Sequence, residues 1–113
     1  MKYTVKVQYT FAKEAKRLGK RYLSLKEDIA KLGEELLANP HLGTDLGGGL
    51  RKIRLAITSK GRGKSGGARV ITYTVVVRID ETDINLLTIY DKAERDSISK
   101  HELQELLQKN GLV

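Results

Sequence analysis

Alternating apolar and polar residues at the N-terminus predict a strand that leads into a short helix. Apolar or aromatic side chains stand at every second position from 3 to 9, which is typical of a half-buried strand. Thr10 is a candidate N-cap for a helix over residues 11–18, and Gly19 would end that helix. The first part of the chain therefore predicts a β-α unit.

A second amphipathic helix follows. Ser24 and Glu27 have the spacing of a capping box, in which each side chain bonds a backbone N–H of the other residue. The helix should end before Pro40, because a residue that precedes proline disfavours helical torsion angles. Residues 39–49 are then expected to form a loop. The apolar stripe of this helix consists of Leu25, Ile29, Leu32 and Leu36.

The C-terminal half predicts three strands and a last helix. Residues 50–57 alternate again, residues 69–78 are rich in β-branched side chains, and residues 84–90 form the last predicted strand. The short connections between these strands favour an antiparallel meander. A second capping box opens at Ser99 and predicts a C-terminal helix. The apolar face of that helix consists of Leu103, Leu106 and Leu107.

These elements predict the fold class. The order β-α-α-β-β-β-α over residues 1–113 indicates a single α+β domain with a mostly antiparallel four-stranded sheet, an N-terminal helical hairpin packed on one face and a C-terminal helix. All the helices are expected on the same face. The N-terminus lacks an apolar signal core, and no apolar run approaches the about 18 residues that span a bilayer. A soluble cytoplasmic protein with no membrane partner is therefore expected.

Positive charge is concentrated in one third of the chain. Residues 46–79 contain eight basic side chains and no acidic one, whereas the whole chain has a net charge of +7. The positive charge is therefore not a general feature of the surface. A concentration of this kind predicts a polyanionic partner, most often nucleic acid. The eight cations are Arg51, Lys52, Arg54, Lys60, Arg62, Lys64, Arg69 and Arg78.

A glycine-rich segment over residues 60–67 holds three of these cations. Its Gly-Lys-Ser sequence suggests a nucleotide-binding phosphate loop, but Thr58 stands where that motif requires glycine, and a strand follows instead of a helix. The segment can be a hairpin loop whose glycines permit positive φ. It can also wrap a phosphate chain, and the lack of acidic residues favours that interpretation. The cations of this segment are Lys60, Arg62 and Lys64.

The position of the other cations follows from strand geometry. Lys52 and Arg54 are two residues apart on one strand, so they share a sheet face, and Arg69 can lie across the hairpin from them. They can be solvated cations that pair with helix glutamates, but the helices should cover the opposite, apolar face. An anion-binding surface is therefore the favoured interpretation. Tyr73 and Tyr90 can be core residues or can stack on a base.

Two further cations follow the last predicted strand. Lys92 and Arg95 belong to a charged segment that can be a solvated turn with local ion pairs. If the meander holds, the end of the last strand brings both side chains toward the sheet edge that carries Lys52 and Arg54. The segment is therefore a candidate second part of the same surface.

Three blocks of the chain carry a family resemblance. They are residues 50–56 (LRKIRLA), 61–71 (GRGKSGGARVI) and 86–92 (LLTIYDK). In this order they resemble the RelE/ParE superfamily of bacterial toxin–antitoxin toxins, and the greatest similarity is to its RelE/HigB-type branch with a basic loop. The resemblance covers nearly the whole chain, and the central block is its specific part.

The resemblance implies a toxin that enters the ribosomal A site, cuts mRNA there, uses no metal or other cofactor, and is silenced by a co-expressed antitoxin. The position that matches a C-terminal tyrosine of RelE is near Ser99, and the loop here is longer, so the acid and base groups stay open. The implied catalytic residues are Lys52, Arg54, Arg69, Lys92 and Arg95. The expected RNA-binding residues are Arg51, Lys60, Arg62, Lys64, Tyr73 and Tyr90.

Three functions stay open at this point. In an mRNA endonuclease, Arg54 and Arg69 would stabilise charge on the attacked phosphate, and Lys52 or Lys92 could carry a proton. Removing Arg69 should then abolish cleavage and leave the fold intact. A ParE-like inhibitor of DNA gyrase is an alternative, but the central cations favour the nuclease. A non-enzymatic RNA-binding module is disfavoured because the chain has no Trp and one Phe for base stacking.

Overall fold

The computed structural model describes residues 1–61 and 63–113. This described part forms five strands, three α-helices and one 3-10 turn at Thr58–Lys60. No helix in it is both long and apolar enough to cross a membrane. In chain order, the strands and α-helices are β1 (Lys2–Val7), α1 (Tyr9–Gly19), α2 (Leu25–Ala38), β2 (Thr44–Gly47), β3 (Leu50–Leu55), β4 (Ala68–Arg78), β5 (Glu81–Asp91) and α3 (Lys100–Lys109).

All five strands belong to one sheet, in the order β1-β5-β4-β3-β2. β1 is parallel to β5, and the three other pairs are antiparallel. The predicted α+β class with a mostly antiparallel sheet is confirmed, although the sheet has five strands and the prediction gave four. The additional strand β2 lies within the predicted loop 39–49. Its four residues show no apolar alternation, so it is the pairing with β3 that makes them a strand.

α1 and α2 pack on one face of the sheet, as predicted. Phe11 of α1 and the leucine stripe of α2 are buried against apolar side chains of the three central strands, among them Ile53, Val70 and Ile89. Full burial of one such side chain stabilises a fold by about 1.5–3 kcal/mol. This face of the sheet therefore carries the main core. Along β3, Lys52 and Arg54 alternate with the core residues and project to the opposite face.

α3 packs on the opposite face, so the expectation that all helices share one face is wrong. Its first turn is capped as predicted, because the Ser99 hydroxyl accepts a hydrogen bond from the Glu102 N–H at 3.1 Å. Leu103 and Leu107 then form a second, smaller core with residues from three strands. These strand residues are Leu50, Ile71 and Leu87.

An irregularity in β5 makes this second core possible. Ile71 of β4 pairs with Thr88, but the next residue, Thr72, pairs with Leu86. Leu87 is therefore an extra residue between two pairs, which is the definition of a β-bulge. The bulge turns Leu87 toward α3 while Leu86 stays in the core under α1 and α2.

α1 begins earlier than predicted and covers an edge of the sheet. β1 ends at Val7, and beyond that point α1 lies against β5. Gln8 precedes the helix, and Thr10, the expected cap, is buried inside it. The Thr10 hydroxyl donates to the Leu87 carbonyl and accepts from Asn110 Nδ2 at 2.8 Å. Thr10 therefore links α1, the bulge and the end of α3.

Ser24 occupies the N-cap position of α2, but its hydroxyl does not cap the helix. It donates to the Asp28 carboxylate at 2.8 Å and accepts from the Ser59 N–H at 2.8 Å. Asp28 also accepts from the Thr58 hydroxyl at 2.6 Å and from the Thr58 N–H at 3.0 Å. The first turn of α2 is thus tied to the 3-10 turn that leads into the glycine-rich segment.

Candidate functional site

A row of three predicted site residues crosses the sheet from β3 to β5. Arg54 pairs with Arg69 across β3 and β4, and Arg69 pairs with Tyr90 across β4 and β5. Directly opposed residues of antiparallel strands project their side chains to the same face, which here is the face that carries α3. Two residues before Arg54 on β3, Lys52 pairs with Ile71 and projects to that same face. We refer to Lys52, Arg54 and Arg69 as the cation band.

Arg54 and Arg69 differ sharply in exposure. Arg54 is exposed, whereas Arg69 is only 6% exposed. The Arg69 guanidinium donates to the backbone carbonyls of Lys64 and Ser65 at 3.1 Å and of Ala68 at 3.2 Å. Arg69 therefore holds the end of the glycine-rich segment, and Arg54 presents its charge to solvent. Because Arg69→Ala would remove these hydrogen bonds, we expect this variant to be less stable, in addition to the loss of cleavage predicted above.

The cation band is not neutralised locally. In the two described ranges, no carboxylate forms an ion pair with a member of the band or with Lys64. Positive charges without counter-charges raise the local potential and attract anions. Arg69 also contributes to this potential. Its guanidinium is buried, and solvent screens a buried charge less than an exposed one.

Tyr90 lies at the buried end of the row. It is 4% exposed, and its hydroxyl has no hydrogen-bond partner among the described residues. The Arg95 guanidinium lies over the ring, 5.4 Å from the ring centroid. Burial raises the pKa of Tyr90, and the charges of Arg69 and Arg95 oppose that rise without cancelling it. The phenol therefore keeps its proton at neutral pH, and Arg95 occupies one face of the ring.

Arg95 and Lys92 follow β5, and each has an acidic partner. The Arg95 guanidinium donates to both carboxylate oxygens of Glu102 at 2.8 Å. This contact raises the pKa of Arg95 and lowers the pKa of Glu102. Lys92 pairs with Asp96 at 3.1 Å. The charges of Lys92 and Arg95 are thus partly neutralised by carboxylates, whereas Arg54 has no such partner among the described residues. Arg95 also connects the start of α3 to the segment that follows β5.

Lys60 is held inside the protein. Its ammonium donates to Asp91 Oδ1 at 2.6 Å and to the Gly66 carbonyl at 2.8 Å. Asp91 is fully buried and also accepts from the Tyr22 hydroxyl at 2.5 Å and from the Ala93 N–H at 2.9 Å. Burial alone would raise the pKa of Asp91, but these hydrogen bonds, led by the one from Lys60, lower it. Lys60 therefore fixes the glycine-rich segment from within.

The other predicted RNA-binding residues are spread over the molecule. Lys64 is exposed, and Arg62 lies outside the described residues. Arg51 donates to two backbone carbonyls just before β2, at 3.3 and 3.1 Å, on the side of the sheet away from the band. Tyr73 packs against the small core under α3. The structure therefore does not bring Arg51 into the cation band.

The site residues line two separate depressions. A cleft of about 370 Å³ beside β3, which we call the β3 cleft, is lined by Lys52, Arg54 and Lys64. A groove of about 680 Å³ between α1 and α3 is lined by Tyr90 and Arg95. The row from Arg54 through Arg69 to Tyr90 joins the two. Among these site residues, the cations at the β3 side are unpaired, and Arg54 and Lys64 are also exposed. Arg95, at the β5 side, is paired.

Sequence reasoning missed the buried carboxylates that support this site. Asp91 directly follows Tyr90 at the end of an apolar strand, and an isolated acid in that position is a signal that could have indicated it. Asp28 stands in the first turn of α2, where an acidic residue is common, so no sequence signal distinguishes it. Both become recognisable only through their partners in space.

The two buried carboxylates predict a loss of stability in acid. Burial opposes ionisation of Asp28, but hydrogen bonds from Thr58 and Ser24 outweigh it and lower its pKa, as happens at Asp91. A carboxyl with a lowered folded-state pKa contributes stability that is complete above its ordinary value of about 4 and is lost as the pH falls through the lowered value.

The melting temperature should therefore decline steeply below about pH 4. Thermal melts followed by circular dichroism between about pH 7 and about pH 2 measure this decline. The Asp96→Asn variant is the matched control, because the Asp96 side chain is 92% exposed, and the decline should persist in it. A melting temperature that does not change over this pH range would contradict the prediction.

The architecture and the surface charge of this domain indicate what kind of molecule it binds. A small α+β domain with a band of cations across its sheet, unpaired among the described residues, is typical of proteins that bind polyanions. A family model described as the RelE toxin of the RelE/RelB toxin–antitoxin system matches residues 5–111. The chain therefore belongs to the RelE toxin family, and the resemblance carried by the three sequence blocks is confirmed. It is a toxin of a toxin–antitoxin system, whose partner is an antitoxin.

Proposed function

We propose that this toxin is a ribosome-dependent endoribonuclease that cuts mRNA in the ribosomal A site and inhibits translation in the cytoplasm. The observation that supports this proposal most directly is the cation band, in which Lys52, Arg54 and Arg69 share one sheet face without a carboxylate partner in the described residues. A band of this kind complements the phosphates of an RNA strand. Membership of the RelE toxin family supports the same action.

The proposed reaction uses the 2′-hydroxyl of the RNA as its nucleophile. A base removes the proton of the 2′-hydroxyl as its oxygen attacks the adjacent phosphate in line, and a phosphorane forms. The bond to the 5′-oxygen then breaks, that oxygen takes up a proton, and the upstream fragment ends in a 2′,3′-cyclic phosphate. The exposed guanidinium of Arg54 can contact that phosphate and stabilise the charge that develops on it. Arg69 acts mainly by holding the loop and by adding positive potential. Neither arginine is assigned the role of a base, because a guanidinium carries hydrogen-bond donors and no acceptor.

Proton transfer requires a different group. Lys52 lines the same cleft as Arg54 and lies on the same face of β3, so its ammonium can reach the same phosphate. Lys92 is engaged by Asp96, and Tyr90 is buried beneath Arg95. Lys52 is therefore the first candidate for carrying a proton. Arg95 is proposed to position Tyr90 and the start of α3.

Induced expression of the gene tests this proposal against the alternatives. The expected result is growth arrest with transcripts that are cut in register with codons, and only where ribosomes translate them. Growth arrest with DNA damage and intact transcripts would instead indicate a ParE-like gyrase inhibitor. RNA binding without arrest or cleavage would indicate a non-enzymatic module.

A further inference from the structure

The groove between α1 and α3 starts beside the cation band. Tyr90, which pairs with Arg69 across β4 and β5, lines the groove, and so do Arg95 and its partner Glu102. Neighbouring strands lie about 4.8 Å apart, so the backbone of Tyr90 is only about 10 Å from that of Arg54 on β3. An RNA strand that crosses the band from β3 to β5 can therefore continue into this groove.

A contact between the two helices fixes the far end of the groove. Asn110 follows α3, and its side-chain amide donates to the Thr10 hydroxyl at 2.8 Å. Tyr9 at the start of α1 and Lys109 at the end of α3 both line the groove. Lys109 lies about 10 Å along α3 from Glu102, because each helical residue adds about 1.5 Å. Tyr9 and Lys109 therefore belong to the end that is remote from the cation band.

Two lysines that line this part of the groove carry unpaired charges. Lys13, one turn beyond Tyr9 on α1, and Lys109 are both exposed, and neither forms an ion pair with a carboxylate in the described ranges. Since they come from opposite walls, their ammonium groups can contact the same phosphate. The acids of the groove oppose an anion only weakly, because each is bound to an arginine. These pairs are Arg17 with Glu14 and Glu94, and Arg95 with Glu102.

Tyr9 adds an exposed aromatic ring to the same end. It is 73% exposed, and its ring lines the groove. A nucleobase can stack on such a ring, because every base has an apolar face that gains from the contact. The ring and the two unpaired ammonium groups therefore offer the two contacts that a nucleotide requires, one for its base and one for its phosphate.

We propose that the far end of this groove is a further nucleotide subsite, where the RNA strand that crosses the cation band places a base on Tyr9 and a phosphate between Lys13 and Lys109. The proposal rests on the proposed function in taking RNA as the ligand, but it does not require cleavage. Stacking strength differs between bases, so the subsite would give the toxin a modest preference for the base at that position. A free mononucleotide carries the same two groups, and the experiment distinguishes it from the strand.

The affinity for an RNA that cannot be cut tests the subsite. A 2′-O-methyl oligoribonucleotide of about six nucleotides lacks the nucleophile, so it reports binding alone. The double variant Lys13→Gln with Lys109→Gln should bind it about tenfold more weakly, because two phosphate contacts are lost. Lys16→Gln with Lys20→Gln is the matched control, because these exposed lysines carry the same charge and do not line the groove. Fluorescence anisotropy of the labelled strand at constant salt measures the affinities.

Equal affinities of the two double variants, or a wild type that does not bind the strand, would overturn the proposal. Adenosine monophosphate tests the other source of a nucleotide, and it should bind at least about tenfold more weakly than the strand, because it cannot reach the cation band. If it binds as tightly as the strand, the groove takes a free nucleotide and the proposed continuity with the band is wrong.

Stacking on Tyr9 has its own pair of variants. Tyr9→Ala should weaken binding of the strand about tenfold, whereas Tyr9→Phe should not, because a phenyl ring keeps the stacking surface. An equal affinity of these two variants would contradict the stacking. If the groove variants weaken binding in a chain that proves unable to cut mRNA, the subsite stands and the proposed function fails. If the chain cuts mRNA but all variants bind the strand equally, the proposed function stands and the subsite fails.

Discussion

Replacing Arg54 with alanine is expected to slow ribosome-dependent mRNA cleavage by about 10²–10³-fold, the usual effect of removing one group that stabilises charge in a transition state. Arg54 is the exposed arginine of the cation band and has no carboxylate partner in the described residues. Its loss therefore removes charge from the phosphate without breaking an internal ion pair. The measurement is the single-turnover rate of cleavage of an mRNA bound to programmed ribosomes.

Arg78→Ala provides the matched control. Arg78 is also an exposed arginine of the acid-free segment, but it lies at the far end of β4 and pairs with Glu81 at 3.6 Å. This variant should cut at the wild-type rate. Arg54→Lys should recover only part of the lost rate, because an ammonium does not reproduce the two-point contact of a guanidinium with a phosphate. Equal rates for Arg54→Ala and Arg78→Ala would refute the role of Arg54.

Replacing Asp91 with alanine is expected to lower the free energy of unfolding by about 3–5 kcal/mol, the usual effect of removing one partner of a buried ion pair. The ammonium of Lys60 would stay buried without its carboxylate, and the Tyr22 hydroxyl would lose its acceptor. A domain of this size has about 5–15 kcal/mol of stability in total, so the variant should be close to unfolding. Urea denaturation followed by circular dichroism measures the change.

Removing both charges separates the ion pair from the rest of the network. The double variant Lys60→Met with Asp91→Leu leaves no buried charge unpaired, so it should be more stable than Asp91→Ala alone. Tyr22 and the Ala93 N–H still lose their acceptor in it, which keeps it below the wild type. An unchanged urea midpoint for Asp91→Ala would show that the network does not stabilise the fold.

Residue patterns predicted the surface of β3 well. The alternation over residues 50–57 places Lys52 and Arg54 on one face, and the strand register puts Arg69 directly opposite Arg54. These predictions succeed because a strand has a strict period of two, so sequence spacing determines the face. The class of the fold followed for the same reason, since the strand and helix periods are distinct over most of the chain.

Other features depend on contacts between distant parts of the chain. β2 is a strand only because β3 pairs with it. The bulge at Leu87 lies in an unbroken apolar run, where no alternation indicates which residue faces which core. The burial of Arg69 and Lys60 depends on the path of the glycine-rich segment. The sequence alone predicts that both basic side chains are exposed. Position on a strand therefore predicted the face of a cation but not its exposure.

The order of residues at the end of β5 has a practical consequence for genetic screens. Tyr90 belongs to the candidate site, and the next residue, Asp91, anchors the fold from the other side of the sheet. A screen that scores survival of cells after expression of the toxin would recover substitutions at both positions. Survival caused by an Asp91 substitution would reflect a smaller amount of folded protein, not altered chemistry. Surviving variants should therefore be compared by their level of folded toxin before any residue in this region is assigned a role in cleavage.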